Sequence, residues 1–478
     1  MSQLNLANYD TAGFLDEMLD EGGAIKPEYA ALSERLRELG WDQLNVLQRD
    51  TDRAQLSYGM TFNVYSDQQG TERILHLDII PRIISGAEWD TIKRGLEQRI
   101  TAINRFIADV YGEQRILRDG VIPSDLVLSS ECYLEACRGV EPPGGIWCHI
   151  SGSDLIKGDD GKFYVLEDNL RCPSGVSYML ENREILKRTF PELFERLRVR
   201  PVNNYTQNLR EMLDGLSPRS PATVVVLTPG AYNSAYFEHS YLAQQLGAEL
   251  VEGRDLVVRD HVVYMITTRG LTRVDVIYRR VDDDFIDPLV FREDSLLGTP
   301  GLFEAFRRGN VALVNAPGTG FADDKAVYAY IPRIIEYYLG EEPILENVRT
   351  YICAEEDDRR YVVEHIAELV VKQTDASGGY GMLIGPKASP EECAAFVAKV
   401  EANPRNYIAQ PMINLSRVPT LTDAGLRGRH VDLRPYILCG GDRIDITAGA
   451  LTRVALREGS IVVNSSQGGG SKDTWVVD

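Results

Sequence analysis

The segment that most narrows what this chain can fold into is Leu369-Val-Val-Lys372-Gln-Thr-Asp-Ala-Ser377-Gly378-Gly379-Tyr-Gly381-Met-Leu-Ile384. Two short apolar runs flank a loop with three glycines, and a lysine ends the first run. Short apolar runs around a glycine-rich turn read as a hairpin. Without Cβ atoms in the way, backbone N–H groups of such a loop can approach polyphosphate oxygens, and Lys372 adds a point charge. An ordinary hairpin turn with a surface lysine has the same composition, so the segment acquires meaning only from its companions.

Three companions stand at informative places. Upstream, the turn Pro317-Gly-Thr-Gly320 leads into Ala322-Asp-Asp-Lys325, with Lys325 opening a helix that the periodicity predicts to run to Leu339. This is no P-loop, which needs Gly-Lys-Ser/Thr. Downstream, Tyr407-Ile-Ala-Gln410-Pro-Met-Ile413 is an apolar strand suited to the rim of a purine pocket, and equally to a plain buried strand. Far N-terminal, Asp154 precedes Glu167-Asp-Asn169 at a strand end. Glu167 and Asn169, two apart, point to one sheet face. Hard oxygen donors of this kind suit Mg²⁺ that phosphates also hold, although Glu-Asp-Asn is also a common turn. Beyond Gln410 there is no Glu-x-Asn; that side offers Arg429-His-Val-Asp432-Leu-Arg434 and Leu451-Thr-Arg453.

This order of a helix-start lysine, a strand lysine with a glycine-rich lid, and an apolar strand with Gln resembles the ATP-grasp superfamily. The N-terminal position of the Asp and Glu-x-Asn resembles its circularly permuted members, relatives of glutathionylspermidine synthetase. Further stretches carry that resemblance over most of the chain: Val165-Leu-Glu-Asp-Asn-Leu-Arg171-Cys-Pro-Ser-Gly-Val-Ser-Tyr178, Tyr232-Asn-Ser-Ala-Tyr-Phe-Glu-His239, Tyr278-Arg-Arg-Val-Asp-Asp-Asp284 and Asn464-Ser-Ser-Gln-Gly-Gly-Gly470. The resemblance implies ATP and Mg²⁺ as cofactors, and a carboxylate–amine ligase working through an acylphosphate. It implies Asp154, Glu167 and Asn169 as metal ligands, Lys325 and Lys372 on the phosphates, and Ser377, Gly378 and Gly379 in the lid. Gln410 then lies near adenine, and Arg453 is the candidate for the γ-phosphate, with a structural salt bridge as its equal alternative. A regulatory or scaffold protein without turnover, or a phosphotransferase, would share the ATP half of such a site.

The fold expected is α/β, a circularly permuted ATP-grasp fold with a Rossmann-like α/β domain and a helical N-terminal region. Its expected parts are residues 1–120 (helical), 121–200 (metal-binding part), 201–316 (α/β domain) and 317–478 (nucleotide-binding domain). Thr223-Val-Val-Val-Leu, a helix from about Ala235 to Leu246, and strands at Val262-Tyr-Met, Arg273-Val-Asp-Val-Ile-Tyr and Val311-Ala-Leu-Val give the βαβ rhythm of a parallel sheet. No G-x-G-x-x-G follows Leu227, so this is not a dinucleotide site. Arg279 and Arg280 could hold a substrate carboxylate, or simply pair with Asp282 to Asp284. Glu238 and His239 read as a satisfied helical surface. The tail Asn464 to Asp473 is too polar and Gly-rich for a core strand; it reads as a flap, with Lys472 facing anions, or as a disordered end.

A formal net charge of −20, from 51 basic and 71 acidic residues, disfavours nucleic acid and anionic membranes as partners. Small-molecule or peptide carboxylates and amines remain. Met1 to Gly23 is acid-rich and lacks the apolar core of a secretory signal, so a cytoplasmic protein is expected. The seven cysteines are scattered, with no zinc-like spacing, and read as reduced packing residues.

Overall fold

The computed structural model describes residues 9, 11, 13–63, 72–374, 381–441, 443–460, 463 and 468–478. Gly158-Asp-Asp-Gly161 is a turn between two apolar runs, the sequence signal of a hairpin, and a hairpin forms there from the strands Ile150–Lys157 and Phe163–Asn169. Gly161 takes φ 77°, which favours glycine, and the Gly158 N–H closes the turn on the Lys162 carbonyl at 3.0 Å.

This hairpin lies within a seven-stranded sheet in the order Glu346–Asn347, Phe163–Asn169, Ile150–Lys157, Arg434–Gly440, Arg443–Val454, Gly470–Val477, Leu77–Ser85. The two outermost pairs are parallel and the inner ones antiparallel. The N-terminal hairpin thus sits directly beside strands from the far end of the chain, which is the topology that a displaced Glu-x-Asn requires.

Two strands of this sheet depart from the sequence reading. Leu77–Ser85, inside the stretch read as helical, is a buried edge of the sheet. Ile79 and Ile83 on one face and Ile80 and Ile84 on the other are all buried, as in a doubly covered strand, so it lacks the apolar–polar alternation that would mark it. It lies between the helices Ala30–Ser57 and Gly86–Tyr111, the second opened by a Ser85–Glu88 capping box. Gly470–Val477, read as part of a flap, is a core strand buried along its whole length. Its polar residues are matched internally. Lys472 Nζ donates to Asp78 and to the carbonyls of Ile80 (3.0 Å) and Pro419 (2.9 Å), and Asp473 pairs with Arg183 at 2.8 Å. Buried polar groups are tolerated when their partners are in place, and those partners are remote in sequence. Of the tail motif, residues 464–467 lie outside the described residues.

The βαβ rhythm forms a parallel sheet in the order Ala312–Val314, Val276–Arg279, Val224–Leu227, Glu249–Val251, with the helix Tyr236–Leu246 packed on it. The predicted strand at Val262 belongs instead to a separate three-stranded antiparallel sheet, Leu256–Arg259, Val262–Thr267 and Gly270–Arg273. Asn315, just past the parallel sheet, joins it to the hairpin. Its Oδ1 accepts from the N–H groups of His149 (2.8 Å) and Ile150 (2.7 Å), and its Nδ2 donates to the carbonyls of Ile150 (2.6 Å) and Leu170 (2.8 Å).

A four-stranded antiparallel sheet, Tyr351–Ile352, Tyr407–Pro411, Leu369–Gln373 and Met382–Ile384, carries its own core of Val371, Leu383, Val400 and Ala409. The predicted helix over Lys325–Leu339 is two, Lys325–Tyr328 and Ile331–Leu339, the second carrying Pro332 in its first turn, where a proline is tolerated. Among the described residues no helix is long and apolar enough to cross a membrane.

Candidate active site

The hairpin places Asp154 directly opposite Glu167, and Gly152 opposite Asn169. Beyond Asp154 the register slips, pairing Leu155 with Val165, so that Leu166 is the extra residue of a bulge. Asp154, Glu167 and Asn169 therefore share one face at the end of the hairpin. Asn169 Nδ2 donates to the Gly152 carbonyl at 3.1 Å, leaving its amide oxygen as the atom for a ligand. Asp168, on the opposite face, turns away to Arg99 (2.7 Å) and accepts from Ser153 Oγ (2.8 Å).

The same face continues across the next two strands. Leu433 bridges Leu155, which sets Arg434 across from Asp154. Arg434 clasps that carboxylate with Nε to Oδ1 at 2.5 Å and Nη2 to Oδ2 at 2.7 Å. Asp432, two residues back on the same face, lies opposite Arg453 and takes its Nε at 2.9 and 3.0 Å. Arg453 Nη2 also bonds to Asp432, and it reaches Asp154 Oδ2 at 2.7 Å. A row of charged side chains, three carboxylates (Glu167, Asp154, Asp432) and two guanidinium groups (Arg434, Arg453), thus crosses four strands. Of the two sequence readings of Arg453 the salt bridge is observed, and it joins Arg453 to the Asp154 carboxylate. Sequence reasoning names the stretch Arg429 to Arg434 but gives Asp432 and Arg434 no role. Their signal was two charges two apart in an apolar strand, where one buried face must then be polar.

From the other sheet, Lys372 Nζ donates to Gln410 Oε1 at 2.7 Å, and Gln410 Nε2 donates to Thr350 Oγ1 at 2.9 Å. Both ends of the Gln410 amide are thus engaged in fixing the lysine. Lys325 reaches the row itself, with Nζ 3.8 Å from Glu167 Oε2, while its backbone N–H donates to the Thr374 carbonyl at 3.2 Å. The lid residues Ser377, Gly378 and Gly379 lie outside the described residues. All the other predicted site residues converge here.

The electrostatics follow from this crowding. Burial alone would raise the Asp154 pKa, but Arg434 and Arg453 hold its carboxyl well below the usual range. Burial, together with Asp154 opposite, pushes the Glu167 pKa up. Burial also pushes the Lys372 ammonium down to about 8, against the pull of Glu167.

Beside Glu167, Asn169 and Lys325 opens a cavity of about 420 Å³, walled also by Arg171, Thr374 and Arg405. Two ion pairs stiffen it, Arg171–Asp323 and Arg405–Asp324, each at 2.7 Å. None of Asp154, Lys372, Gln410, Arg434 or Arg453 lines it.

The residues considered for substrate carboxylates lie elsewhere and are engaged. Arg279 pairs with Asp283 at 2.6 Å and donates to the carbonyls of Val281 and Asn315. Arg280 pairs with Glu238 at 3.0 Å. Glu238 and His239 are buried rather than on a helical surface. The free oxygen of Glu238 accepts from the N–H groups of Gly175 (2.7 Å) and Ser177 (3.1 Å). This buried pair pins the loop after Asn169 in place. Gly175 in that loop has φ 109°, and a Cβ there would meet Tyr436 Oη at 2.5 Å. The seven cysteines are all free.

Whether this site suits Mg²⁺ can be judged from its donors. Among the described residues no three His, Cys, Asp or Glu side chains are grouped to hold a metal by themselves. The trio offers two carboxylates and one amide oxygen, a set that suits Mg²⁺ completing its shell with phosphate oxygens and water. The fit is therefore to a metal shared with a polyphosphate.

Comparison with known proteins agrees with this geometry. A protein of Synechocystis sp. is 58% identical over 99% of both chains. One of Mycobacterium tuberculosis is 51% identical over 97% of this chain and 84% of that one. A Frankia alni protein, provisionally named glutamate–cysteine ligase 2-3, is 41% identical over 98% of this chain, which spans only 54% of that longer protein. Among solved structures, a glutathione synthetase-like effector from Globodera pallida shares the fold, with a TM-score of 0.59 over 90% of this chain and 96% of that one, at 11% identity. The family model for circularly permuted ATP-grasp type 2 matches residues 81–455. The chain belongs to that circularly permuted ATP-grasp family.

Proposed function

We propose that this enzyme uses Mg·ATP to activate an amino-acid or peptide carboxylate as an acylphosphate, which an amine then opens to form an amide. The observation that supports it most is the meeting of Asp154, Glu167 and Asn169 on one sheet with Lys325 from a helix start and Lys372 from another sheet. In the first step a substrate carboxylate oxygen attacks the γ-phosphorus, and the bond to the bridging oxygen of ADP breaks. In the second, the amine nitrogen attacks the acyl carbon, loses its proton and expels inorganic phosphate.

Two anions must meet in the first step, so the protein's task is positioning and neutralisation. Lys325 and Lys372 supply fixed positive charge to the phosphates, with Gln410 and Thr350 holding Lys372 in place. Arg453 and Arg434 present guanidinium forks to the γ-phosphate, where charge spreads in transfer. Asp154, Glu167 and the Asn169 amide oxygen would hold Mg²⁺, which supplies further neutralisation between phosphate oxygens. Ser377, Gly378 and Gly379 would close over the nucleotide. The cavity beside Glu167 is the space we assign to the reacting ends of the substrates. The name of the Frankia alni relative favours an amino-acid carboxylate, although that name covers a longer polypeptide.

Hydroxylamine, a small amine surrogate, tests the reading. Incubation with ATP, Mg²⁺ and a panel of amino acids and dipeptides should yield ADP together with a hydroxamate. Formation of ADP with a stable phosphorylated product and no hydroxamate would refute the ligase chemistry in favour of phosphotransfer.

A further inference from the structure

We infer that Arg434 and Arg453 latch Asp154 in the nucleotide-free protein, so that the metal enters with the polyphosphate and not ahead of it. The inference rests on the nucleotide site proposed above. Both oxygens of Asp154 are engaged by guanidinium groups, Oδ1 by Arg434 and Oδ2 by Arg434 and Arg453, at 2.5–2.7 Å. Asp432 grips Arg453 from its other side. The cations facing the row are Lys325, Lys372, Arg434 and Arg453, against the carboxylates of Asp154, Glu167 and Asp432. Neighbouring Asp168 and Asp323 add no free charge, being paired with Arg99 and Arg171.

A lone dication therefore meets a surplus of positive charge. It must also draw Asp154 out of charge-assisted hydrogen bonds in a buried place, where such bonds are strong. A triphosphate meets the opposite field. Its oxygens suit guanidinium forks; drawing off Arg434 frees Oδ1 of Asp154, and drawing off Arg453 as well frees Oδ2. Asp432 serves here as a positioning residue, keeping Arg453 on its strand while its far nitrogen changes partner.

The test titrates Mn²⁺ into the protein, followed by electron paramagnetic resonance, with and without a non-hydrolysable ATP analogue. Without the analogue, wild type should bind no stoichiometric Mn²⁺ up to about 1 mM, while the metal-free analogue binds measurably. With the analogue, Mn²⁺ should bind stoichiometrically. Arg434→Gln and Arg453→Gln should each gain nucleotide-free Mn²⁺ affinity by about tenfold or more, and Asp154→Asn should abolish that gain. Arg434→Lys, which keeps the charge but loses the fork, should gain less than Arg434→Gln.

Tight nucleotide-free Mn²⁺ binding by wild type, lost on Asp154→Asn, would overturn the latch while leaving the nucleotide site standing. So would folded arginine variants with no gain. Failure of folded wild type to bind the analogue at all would instead overturn the proposed function.

Discussion

Nucleotide binding at pH 8 should draw a proton onto Lys372. In the free protein burial depresses this ammonium to about 8, so about half the molecules carry a neutral lysine at pH 8 and about one in ten at pH 7. A polyanion beside the nitrogen favours the charged form and returns the pKa toward the ordinary lysine range. Protonation is thus coupled to binding with a definite sign. Uptake should be about 0.1 proton per site at pH 7, about 0.5 at pH 8 and about 0.9 at pH 9. Affinity should be flat below pH 8 and fall by up to about tenfold per pH unit above it. Calorimetry of ATP binding in phosphate and in Tris, whose ionisation enthalpies differ, gives the proton count directly. The triphosphate is already ionised at pH 8 and does not contribute. Lys372→Arg, which stays charged throughout, should bind without the uptake. Binding by wild type at pH 8 with no proton exchange, or equal uptake by Lys372→Arg, would refute the placement of Lys372 on the phosphates.

Three further outcomes follow from the packing. Lys372→Met should stabilise the nucleotide-free protein at pH 7 by about 1–3 kcal/mol, net of its lost bond to Gln410. Because the folded pKa is depressed, that gain is fully present below about pH 8 and should vanish as pH rises through the unfolded value near 10.5, which denaturation at pH 7 and pH 10.5 will show. Lys472→Met leaves Asp78 buried without its cation and should cost about 3–5 kcal/mol in denaturant unfolding, whereas a flap residue would cost nothing. Gly175→Ala should cost about 1–3 kcal/mol through its positive φ and the clash with Tyr436, and Tyr436→Phe should recover part of it in the double variant.

What the sequence made legible was local. The hairpin of Asp154 and Glu167 announced itself through a Gly-Asp-Asp-Gly turn between apolar runs, and the parallel sheet through short strands alternating with a helix. The order of Lys325, Lys372 and Gln410 relative to Glu167 and Asn169 carried the permuted topology, because a displaced ligand pair leaves few ways to rebuild one site. What stayed hidden depends on pairing between remote segments. Leu77–Ser85 is covered on both faces and so shows no alternation. Lys472 looks like a surface residue until Asp78 is set beside it, and Arg280 like a ligand-binding residue until Glu238 is. Arg434 and Asp432 acquire meaning only when their strand is laid next to Asp154. The amide of Gln410 is engaged by Lys372 and Thr350, partners that its own apolar strand does not announce.

The central claim is that Asp154, Glu167 and Asn169 form, with the two lysines, one Mg·ATP site. The most direct test is calorimetric titration of ATP, with and without Mg²⁺, into wild type, Lys372→Ala and Glu167→Ala. The account predicts saturable binding by wild type that Mg²⁺ strengthens, at least about tenfold weaker binding by Lys372→Ala, and binding by Glu167→Ala that no longer responds to Mg²⁺. Folded wild type that binds no ATP, or two variants that bind as wild type does, would contradict it.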